Sequence, residues 1–212
     1  VAALVSGVSR SLVQVHNGGR SGGAGVIIHP DGLIVTNAHV VRQRTPQVTL
    51  PDGTTLPASV LAWDPELDLA ALVVERKGLE AIRLGEARRL QPGQWVLALG
   101  HPWGIAGAVT AGTDIGGGSE LPEMPSSRSE WIAINLALRP GNSGGPLVDE
   151  EGRLVGINTM LTGPEVGMAV PVHVMKAFDE KYGVSIQEGY GLSETSPAAC
   201  FNTFDFAKKA GS

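Results

Sequence analysis

Short apolar segments alternate with turn residues along most of the chain. Leu12–Val15, Ala24–Ile28 and Leu33–Thr36 each have the length of a strand, and His29-Pro30-Asp31-Gly32 separates the last two. An Asp-Gly pair between apolar runs is typical of a β-hairpin. Pro51-Asp52-Gly53 predicts a second hairpin for the same reason. The pattern therefore predicts antiparallel strands that are joined by tight turns.

The same pattern continues far into the second half of the chain. Further strands are predicted at Val48–Leu50, Thr54–Leu56, Ser59–Ala62, Leu69–Val74, Trp95–Leu99, Val109–Ile115, Trp131–Leu136, Leu154–Met160 and Gly167–Val170. Gly116 to Ser129 lacks the pattern and is predicted to be a mobile loop. After Pro171, apolar residues recur at helical spacing, which predicts a terminal helix at 172–182. So many short strands indicate an all-β sandwich or barrel, and spacing alone does not choose between them.

Composition excludes several classes of protein. The 212 residues, 42% of them hydrophobic, are enough for one or two domains with a core. A net charge of −5 without a basic cluster argues against nucleic acid as a partner. The longest apolar runs are far shorter than the ~20 residues of a membrane span. The single Cys200 excludes an internal disulfide and gives no zinc-finger spacing. We predict no metal and no cofactor.

The most informative stretch runs from Arg139 to Val148 and reads RPGNSGGPLV. Its glycines and prolines exclude a helix interior and predict a tight turn before an apolar strand. Such a turn can aim neighbouring N–H groups at one point, as an oxyanion hole requires. Ser143 lies in its middle. Taken alone, the stretch is equally compatible with an ordinary turn between strands, since Ser and Gly are common turn residues.

Two other segments contain the base and the acid that a reactive serine would need. His39 follows the apolar strand Leu33–Thr36, and Asp68 lies between Leu67 and Leu69 in an apolar run. A buried carboxylate needs a hydrogen-bonding partner, and a histidine ring N–H would serve. A serine hydroxyl is a weak nucleophile at neutral pH unless a base accepts its proton.

In the order His39, Asp68, Ser143 these segments resemble the trypsin-like serine proteases, and more closely the HtrA (Deg) proteases. The matching motifs are Gly25–Ile28, Asp31–Val41, Asp64–Ala70, Gly100–Gly104, Gly141–Pro146 and Gly156–Thr159. The resemblance covers roughly residues 1–183. It implies two antiparallel six-stranded β-barrels of the chymotrypsin type followed by a C-terminal helix. Barrel one would occupy about 1–88, barrel two about 89–172 and the helix about 172–182.

The resemblance also implies a role for each site residue. His39 would be the general base, Asp68 would orient it, and Ser143 would be the nucleophile of a serine endopeptidase. The backbone of Gly141, Asn142 and Ser143 would form the oxyanion hole. The walls of the substrate pocket would be Asn135, Leu136, Ala137, Leu138, Ile157, Asn158 and Thr159. An apolar base at Ala137 would suit small or medium aliphatic residues before the cleaved bond.

Other readings of the same residues are kept open. The remaining histidines, His16, His29, His101 and His173, are weaker candidates for the base. Asp64 is the nearest rival acid, and its place before Pro65 predicts a solvated turn. A peptide-binding or chaperone-like protein that has lost turnover is the alternative function.

The resemblance ends before the chain does. HtrA proteins usually continue into a PDZ domain, for which 184–212 is too short, so we expect a tail of unknown role. Within it, Glu188 to Pro197 resembles a motif of adenylate-forming enzymes, but the remainder of that fold is missing. The start at Val1 indicates a processed or trimmed chain. The resemblance further implies unfolded polypeptides as partners and a place outside the cytoplasm, such as the bacterial periplasm or cell envelope. Trimers in this family often use aromatic residues near the N-terminus. The first fifteen residues contain none, so the resemblance leaves a trimer open.

Overall fold

The computed structural model describes residues 1–18, 22–119, 130–161 and 166–184, with only the backbone at 160 and 161. Within them, twelve strands form two closed antiparallel barrels of six strands each. This result confirms the prediction of an all-β, two-barrel fold of the chymotrypsin type. Most of the predicted loop and almost all of the tail lie outside the described residues.

The two barrels have the same strand order. The strands of the first are β1 (Leu12–His16), β2 (Gly22–His29), β3 (Leu33–Thr36), β4 (Gln47–Thr49), β5 (Thr55–Asp64) and β6 (Leu69–Val74). Those of the second are β7 (Trp95–Gly100), β8 (Ala108–Gly118), β9 (Trp131–Asn135), β10 (Pro146–Val148), β11 (Leu154–Leu161) and β12 (Val166–Pro171). The first ring runs β1-β2-β3-β6-β5-β4 and the second runs β7-β8-β9-β12-β11-β10. The topology therefore repeats although the sequence does not.

Among the described residues, two α-helices flank the barrels. The predicted terminal helix is confirmed as α2 (Val172–Tyr182), which ends at Gly183 in the left-handed conformation. The other helix, α1 (Ala2–Ser9), buries Val8 and was not predicted, because its small and apolar residues lack a clear period. Strand β8 continues to Gly118, beyond the predicted start of the loop at Gly116, because its last residues pair with β9.

The buried apolar side chains form two groups. One lies inside the first barrel and includes Val13, Val15, Ile27, Ile34, Val48 and Leu72. The other fills the second barrel and extends to the first barrel and to α2, where Phe178 is fully buried. Because this second group contains residues of both barrels, the interface between them is part of the core. Side chains at that interface are held as firmly as core residues.

The end of α2 is tied to the first barrel by one buried carboxylate. Asp64, the last residue of β5, is only 2% exposed. One of its oxygens accepts the N–H groups of Glu66 at 2.9 Å and Leu67 at 3.1 Å. The other oxygen accepts Lys181 Nζ at 2.8 Å and the Tyr182 hydroxyl at 3.1 Å. The prediction that Asp64 lies in a solvated turn is therefore wrong, because α2 covers the turn.

These contacts change the acidity of Asp64. Burial raises the pKa of the carboxyl, but the hydrogen bonds from Lys181, Leu67 and Glu66 lower it more, so the net pKa lies below the ordinary value. A carboxyl with a lowered folded-state pKa stabilises the fold above its unfolded pKa of about 3.9. That contribution is lost as the pH falls through the folded-state pKa.

We therefore expect Asp64→Asn to destabilise the protein in a pH-dependent way. At neutral pH the free energy of unfolding should fall by roughly 1–3 kcal/mol, the cost of poorly satisfied buried groups. The deficit should shrink as the pH drops below about 4, because protonation then weakens the same contacts in the wild type. Urea unfolding of both proteins at pH 7 and near pH 3 measures this change. A deficit that is equal at both pH values would contradict the ionic role of Asp64.

Candidate active site

His39 and Asp68 of the first barrel form a close pair. His39 lies in a single 3₁₀ turn, Ala38–Val40, directly after β3. Its Nδ1 is 2.9 Å from both oxygens of Asp68, and its backbone N–H donates to Oδ1 at 3.1 Å. Because a carboxylate only accepts, the ring hydrogen belongs on Nδ1 and leaves Nε2 as an acceptor. The side chain of His39 is 46% exposed while that of Asp68 is 12% exposed, so the pair reaches from the interior to the surface.

The backbone around this pair is fixed by further hydrogen bonds. Asp68 has φ 51°, a strained value for a residue other than glycine. The buried side-chain amide of Asn37 donates to the Asp68 carbonyl at 3.0 Å. The indole N–H of Trp63 donates to the Ala38 carbonyl at 2.9 Å. The turns that contain His39 and Asp68 are thus held against each other, which keeps Asp68 in its strained conformation.

Thr159, on β11 of the second barrel, connects the acid to the serine. Its hydroxyl donates to Asp68 Oδ2, and its carbonyl accepts the Ser143 hydroxyl at 2.7 Å. Asp68 therefore has hydrogen-bond donors from both barrels. Sequence reasoning placed Thr159 only in the pocket wall and missed its contact with the acid, since nothing local to Thr159 indicates a partner in the other barrel.

The turn that contains Ser143 is attached to both barrels. The Ser143 carbonyl accepts the N–H of Ala24, on β2 of the first barrel, at 2.8 Å. The next residue, Gly144, donates its N–H to Asn158 of β11 at 2.8 Å. Within the described residues, the Ser143 hydroxyl bonds Thr159 and not His39. Catalytic hydrogen bonds are often long or misaligned in proteins without substrate, so this arrangement does not separate the serine from the histidine functionally.

The residues before Ser143 form a type II turn. The N–H of Asn142 donates to the Arg139 carbonyl at 2.9 Å, and Gly141 has φ 103°. Pro140 and Gly141 occupy the two central positions, where this turn type favours proline and requires a positive φ. Among the backbone bonds of the described residues, none is donated by Gly141 or Ser143, so these two N–H groups are open. The N–H of Asn142 closes the turn, so it is not available to the oxyanion hole that the resemblance predicted.

His101 supports this turn from behind. Its backbone N–H donates to the Gly141 carbonyl at 2.8 Å. Its ring Nδ1 accepts the N–H of Gly107 at 3.3 Å, and burial lowers the pKa of the imidazole. A neutral ring used in this way is structural, so His101 is not a competing base. Arg139 lies over the ring of Trp103, with 5.8 Å from its guanidinium carbon to the ring centroid, and adds a cation–π contact to the same loop.

A cleft of about 330 Å³ lies between the barrels at these residues. Its walls are Asn17, Gly22, His39, Val40, Arg42, Leu138, Arg139, Pro140, Gly141, Ser143 and Thr159. Of the seven predicted pocket residues, Leu138 and Thr159 lie in the walls. Ile157 and Asn158 are fully buried behind them, because β11 is paired on both sides at this point.

The other three predicted pocket residues lie next to the cleft rather than in its walls. Asn135 is exposed, Leu136 is buried and Ala137 is half-buried. Arg42, Arg139 and Asn17 were not predicted, and their positions in the walls follow from how the barrels meet. In the part of the chain that the structure describes, no three His, Cys, Asp or Glu side chains are grouped to hold a metal ion. The helices of these residues also lack the combination of length and apolar character that a membrane span requires.

Comparison with known proteins points to one family. A family model described as a trypsin-like peptidase domain matches residues 23–157, which include His39, Asp68 and Ser143. The chain is also similar to a solved structure of the HtrA-type protease AlgW with a tripeptide, with a TM-score of 0.79 and 31% identity. That match covers 89% of this chain and 64% of the other.

Curated relatives agree with this assignment. The putative serine protease HhoB of Synechocystis sp. is 39% identical over 155 residues, 71% of this chain and 37% of its own length. A probable periplasmic serine endoprotease DegP-like of Ectopseudomonas mendocina is 40% identical over 185 residues, 81% of this chain and 39% of its own. The mitochondrial serine protease HTRA2 of Drosophila ananassae is 36% identical over 181 residues, 80% of this chain and 42% of its own. The chain thus spans about two fifths of the length of these relatives.

The serine turn leaves no room for a side chain at Gly144. A substitution there tests the close contact between this turn and Ala24 of the first barrel. A Cβ at Gly144, where φ is 83°, would lie 2.1 Å from the Ala24 carbonyl oxygen and 2.2 Å from Thr36 Oγ1. We expect Gly144→Ala to destabilise the protein by more than the ~1–2 kcal/mol of left-handed strain alone, because β2 must also move.

Gly53→Ala is the matched control for this prediction. Gly53 also has a positive φ, 85°, but nothing lies within 4 Å of an added Cβ. Denaturant unfolding of both variants separates the backbone strain from the clash between barrels. Equal losses of stability would show that Gly144 does not fix the contact with Ala24.

Proposed function

The chain belongs to the trypsin-like peptidase domain family, and we propose that it is a serine endopeptidase in which His39, Asp68 and Ser143 are base, orienting acid and nucleophile. One observation carries the proposal. A buried carboxylate, Asp68, is bonded to His39 Nδ1 and to Thr159, and the Thr159 carbonyl holds the hydroxyl of Ser143. The open N–H groups of Gly141 and Ser143 lie in the same turn as that hydroxyl.

In the proposed reaction the Ser143 hydroxyl leaves the Thr159 carbonyl and gives its proton to His39 Nε2. The Ser143 oxygen then bonds to the carbonyl carbon of the peptide. Asp68 holds the tautomer with hydrogen on Nδ1 and stabilises the imidazolium that forms. The N–H groups of Gly141 and Ser143 bind the oxyanion, and losing one such donor typically costs about 2.7–4 kcal/mol in barrier.

The second half of the reaction uses the same groups. His39 gives the proton to the leaving amine, the C–N bond breaks, and an acyl-enzyme on Ser143 remains. Water then gives a proton to His39 while its oxygen bonds to the ester carbonyl carbon. The C–O bond to Ser143 breaks, and His39 returns the proton to the serine oxygen. No group other than the peptide, water and these side chains is needed for the proton balance.

The cleft also bears on substrate choice. Leu138 and Thr159 give it a partly apolar wall, and its exposed charges are those of Arg42 and Arg139. Two cations would oppose a substrate Lys or Arg, and a buried cation without a partner is costly. We propose small or medium aliphatic residues before the cleaved bond. A methylene in such a pocket changes binding by only about 1–3 kcal/mol, so discrimination among aliphatic residues should be loose.

Substrates and cellular place belong to the same proposal. We propose unfolded polypeptides as substrates, because a chain without fixed structure can enter the cleft between the barrels. The relatives include proteins named as periplasmic and as mitochondrial. For a bacterial source we propose a place outside the cytoplasm, in the periplasm or cell envelope. The domain boundary near residue 183 also stays a prediction.

A second function is favoured by one observation. The Ser143 hydroxyl is bonded to Thr159 rather than to His39, an arrangement compatible with a protein that binds peptides in this cleft without cleaving them. Labelling with a fluorophosphonate separates the two functions, because only an activated serine attacks the reagent. Absence of label from the folded protein would favour the binding function.

We expect Ser143→Ala to abolish hydrolysis of a fluorogenic peptide without unfolding the protein. Removing the nucleophile of a serine protease lowers kcat on the order of 10⁶-fold. The fold loses only the hydrogen bond to Thr159, about 1 kcal/mol. Ser59→Ala, at an exposed position of β5, is the control and should keep full activity. Comparable turnover by a pure Ser143→Ala sample would rule out the proposed nucleophile.

We expect a peptide library to show cleavage after Val, Ala, Leu or Ile, with Lys and Arg poorly accepted. Leu138→Phe should narrow the cleft and shift the preference toward Ala, with changes in kcat/KM of about 10–200-fold per methylene. Mass spectrometry of the cleaved library gives both results. Dominant cleavage after Lys or Arg would place the pocket elsewhere.

A further inference from the structure

We propose that Asp64 is a positioning residue for the proposed catalytic acid, Asp68. Through Asp64, the end of α2 keeps the Asp68 carboxylate beside His39 Nδ1. The inference rests on the proposed protease function, because positioning is measured by what His39 and Ser143 do. Asp64 itself lies outside the walls of the cleft and bonds none of the three catalytic side chains.

A short connection between β5 and β6 places Asp64 close to Asp68 in the chain. β5 ends at Asp64 and β6 begins at Leu69, and these two residues pair across the strands. Asp68 is the last residue of this connection. Asp64 Oδ1 binds the N–H groups of Glu66 and Leu67, the latter immediately before Asp68. The path of the backbone into Asp68 is therefore set by one buried carboxylate oxygen.

The backbone of Asp68 is strained. A φ of 51° persists in a residue with a Cβ only when its surroundings hold it there. Asn37 holds the Asp68 carbonyl from one side, and Asp64 holds the preceding N–H groups from the other. If Asp64 no longer accepted those bonds, the connection would relax toward ordinary backbone angles. The carboxylate of Asp68 would then turn away from His39 Nδ1.

Asp64 is anchored on α2. Asp64 Oδ2 accepts Lys181 Nζ at 2.8 Å and the Tyr182 hydroxyl at 3.1 Å. The ring of Tyr182 packs on the fully buried Phe178 with 4.9 Å between centroids, so this end of α2 is fixed in the core. The second barrel and α2 thus each support Asp68. Thr159 binds its carboxylate, and α2 holds the connection before it through Asp64.

The experiment compares two buried carboxylates of similar structure. Asp149, only 3% exposed, accepts the N–H groups of Glu151 at 3.1 Å and Arg153 at 2.9 Å, and also Arg153 Nε at 2.8 Å. It closes the turn between β10 and β11 and lies outside the cleft walls. Asp149→Asn therefore reproduces the loss of a buried, capping carboxylate without touching the connection to Asp68.

For Asp64→Asn we expect kcat per fluorophosphonate-reactive site to fall on the order of 10-fold to 100-fold, the usual cost of a small misplacement. KM should change little, and the acid limb of the pH profile of kcat/KM should move to lower pH as Asp68 supports the imidazolium less. The low-field NMR resonance of the His39 Nδ1–H proton should weaken or move. Asp149→Asn should lower stability but leave all of these readouts unchanged.

Variants of α2 test the same link without changing the connection itself. Lys181→Met should reproduce part of the loss of kcat, and Lys181→Arg should restore most of it by keeping a cation beside Asp64. The Lys181 side chain is 55% exposed, so these variants should fold even if Asp64→Asn does not.

The outcomes separate this inference from the protease proposal. If the wild type does not react with the fluorophosphonate, the protease function fails, and the NMR resonance still tests the position of Asp68. The positioning role is overturned if Asp64→Asn and Lys181→Met leave that resonance and kcat per reactive site unchanged. It is also overturned if Asp149→Asn changes them as much.

Discussion

The carboxylate of Asp68 is a buried charge that the two barrels satisfy together. It accepts the backbone N–H and the ring of His39 from its own barrel and the hydroxyl of Thr159 from the other. A buried carboxylate without donors is costly, and breaking one partner of such a group typically costs several kcal/mol. If the barrels packed against each other in another arrangement, the Asp68 carboxylate would lose the Thr159 hydroxyl as a hydrogen-bond donor. The same contacts therefore stabilise the interface and arrange the candidate site.

The serine turn repeats this coupling with backbone groups. Ser143 is held by Ala24 of the first barrel, and Gly144 by Asn158 of the second. Since a close-packed interior transmits strain, a change in how the barrels pack moves the hydroxyl and the two open N–H groups as one unit. The stability of the fold and the geometry of the site are therefore not independent. The activity of a variant should accordingly be measured per correctly folded molecule.

The sequence predicted the features that depend on near neighbours. The hairpin at Asp31-Gly32, the turn at Ser143 and the helix after Pro171 are determined by residues within a few positions, and all three are present. The grouping of His39, Asp68 and Ser143 came from the order of their motifs in a resemblance. Spacing alone could not have brought residues of two barrels together.

The features that were missed depend on distant partners. Asp64 looked like a solvated turn because Lys181, which covers it, is 117 residues away. The N–H of Asn142 could not be assigned until the type II turn showed that Arg139 accepts it. The resemblance placed Ile157 and Asn158 in the pocket walls, but pairing of β11 on both sides buries them behind the wall of the cleft.

The resting hydrogen bond from Ser143 to Thr159 contributes little free energy compared with a catalytic barrier. To act as a nucleophile, Ser143 must exchange the Thr159 carbonyl for His39 Nε2 as acceptor, which replaces one hydrogen bond by another. A hydrogen bond contributes only about 0.5–1.5 kcal/mol net, whereas enzymes lower barriers by about 8–23 kcal/mol. The exchange requires rotation about a side-chain bond, which occurs between staggered states and on fast time scales. Its cost is therefore too small to silence the proposed site, and the resting bond by itself favours binding without turnover only weakly.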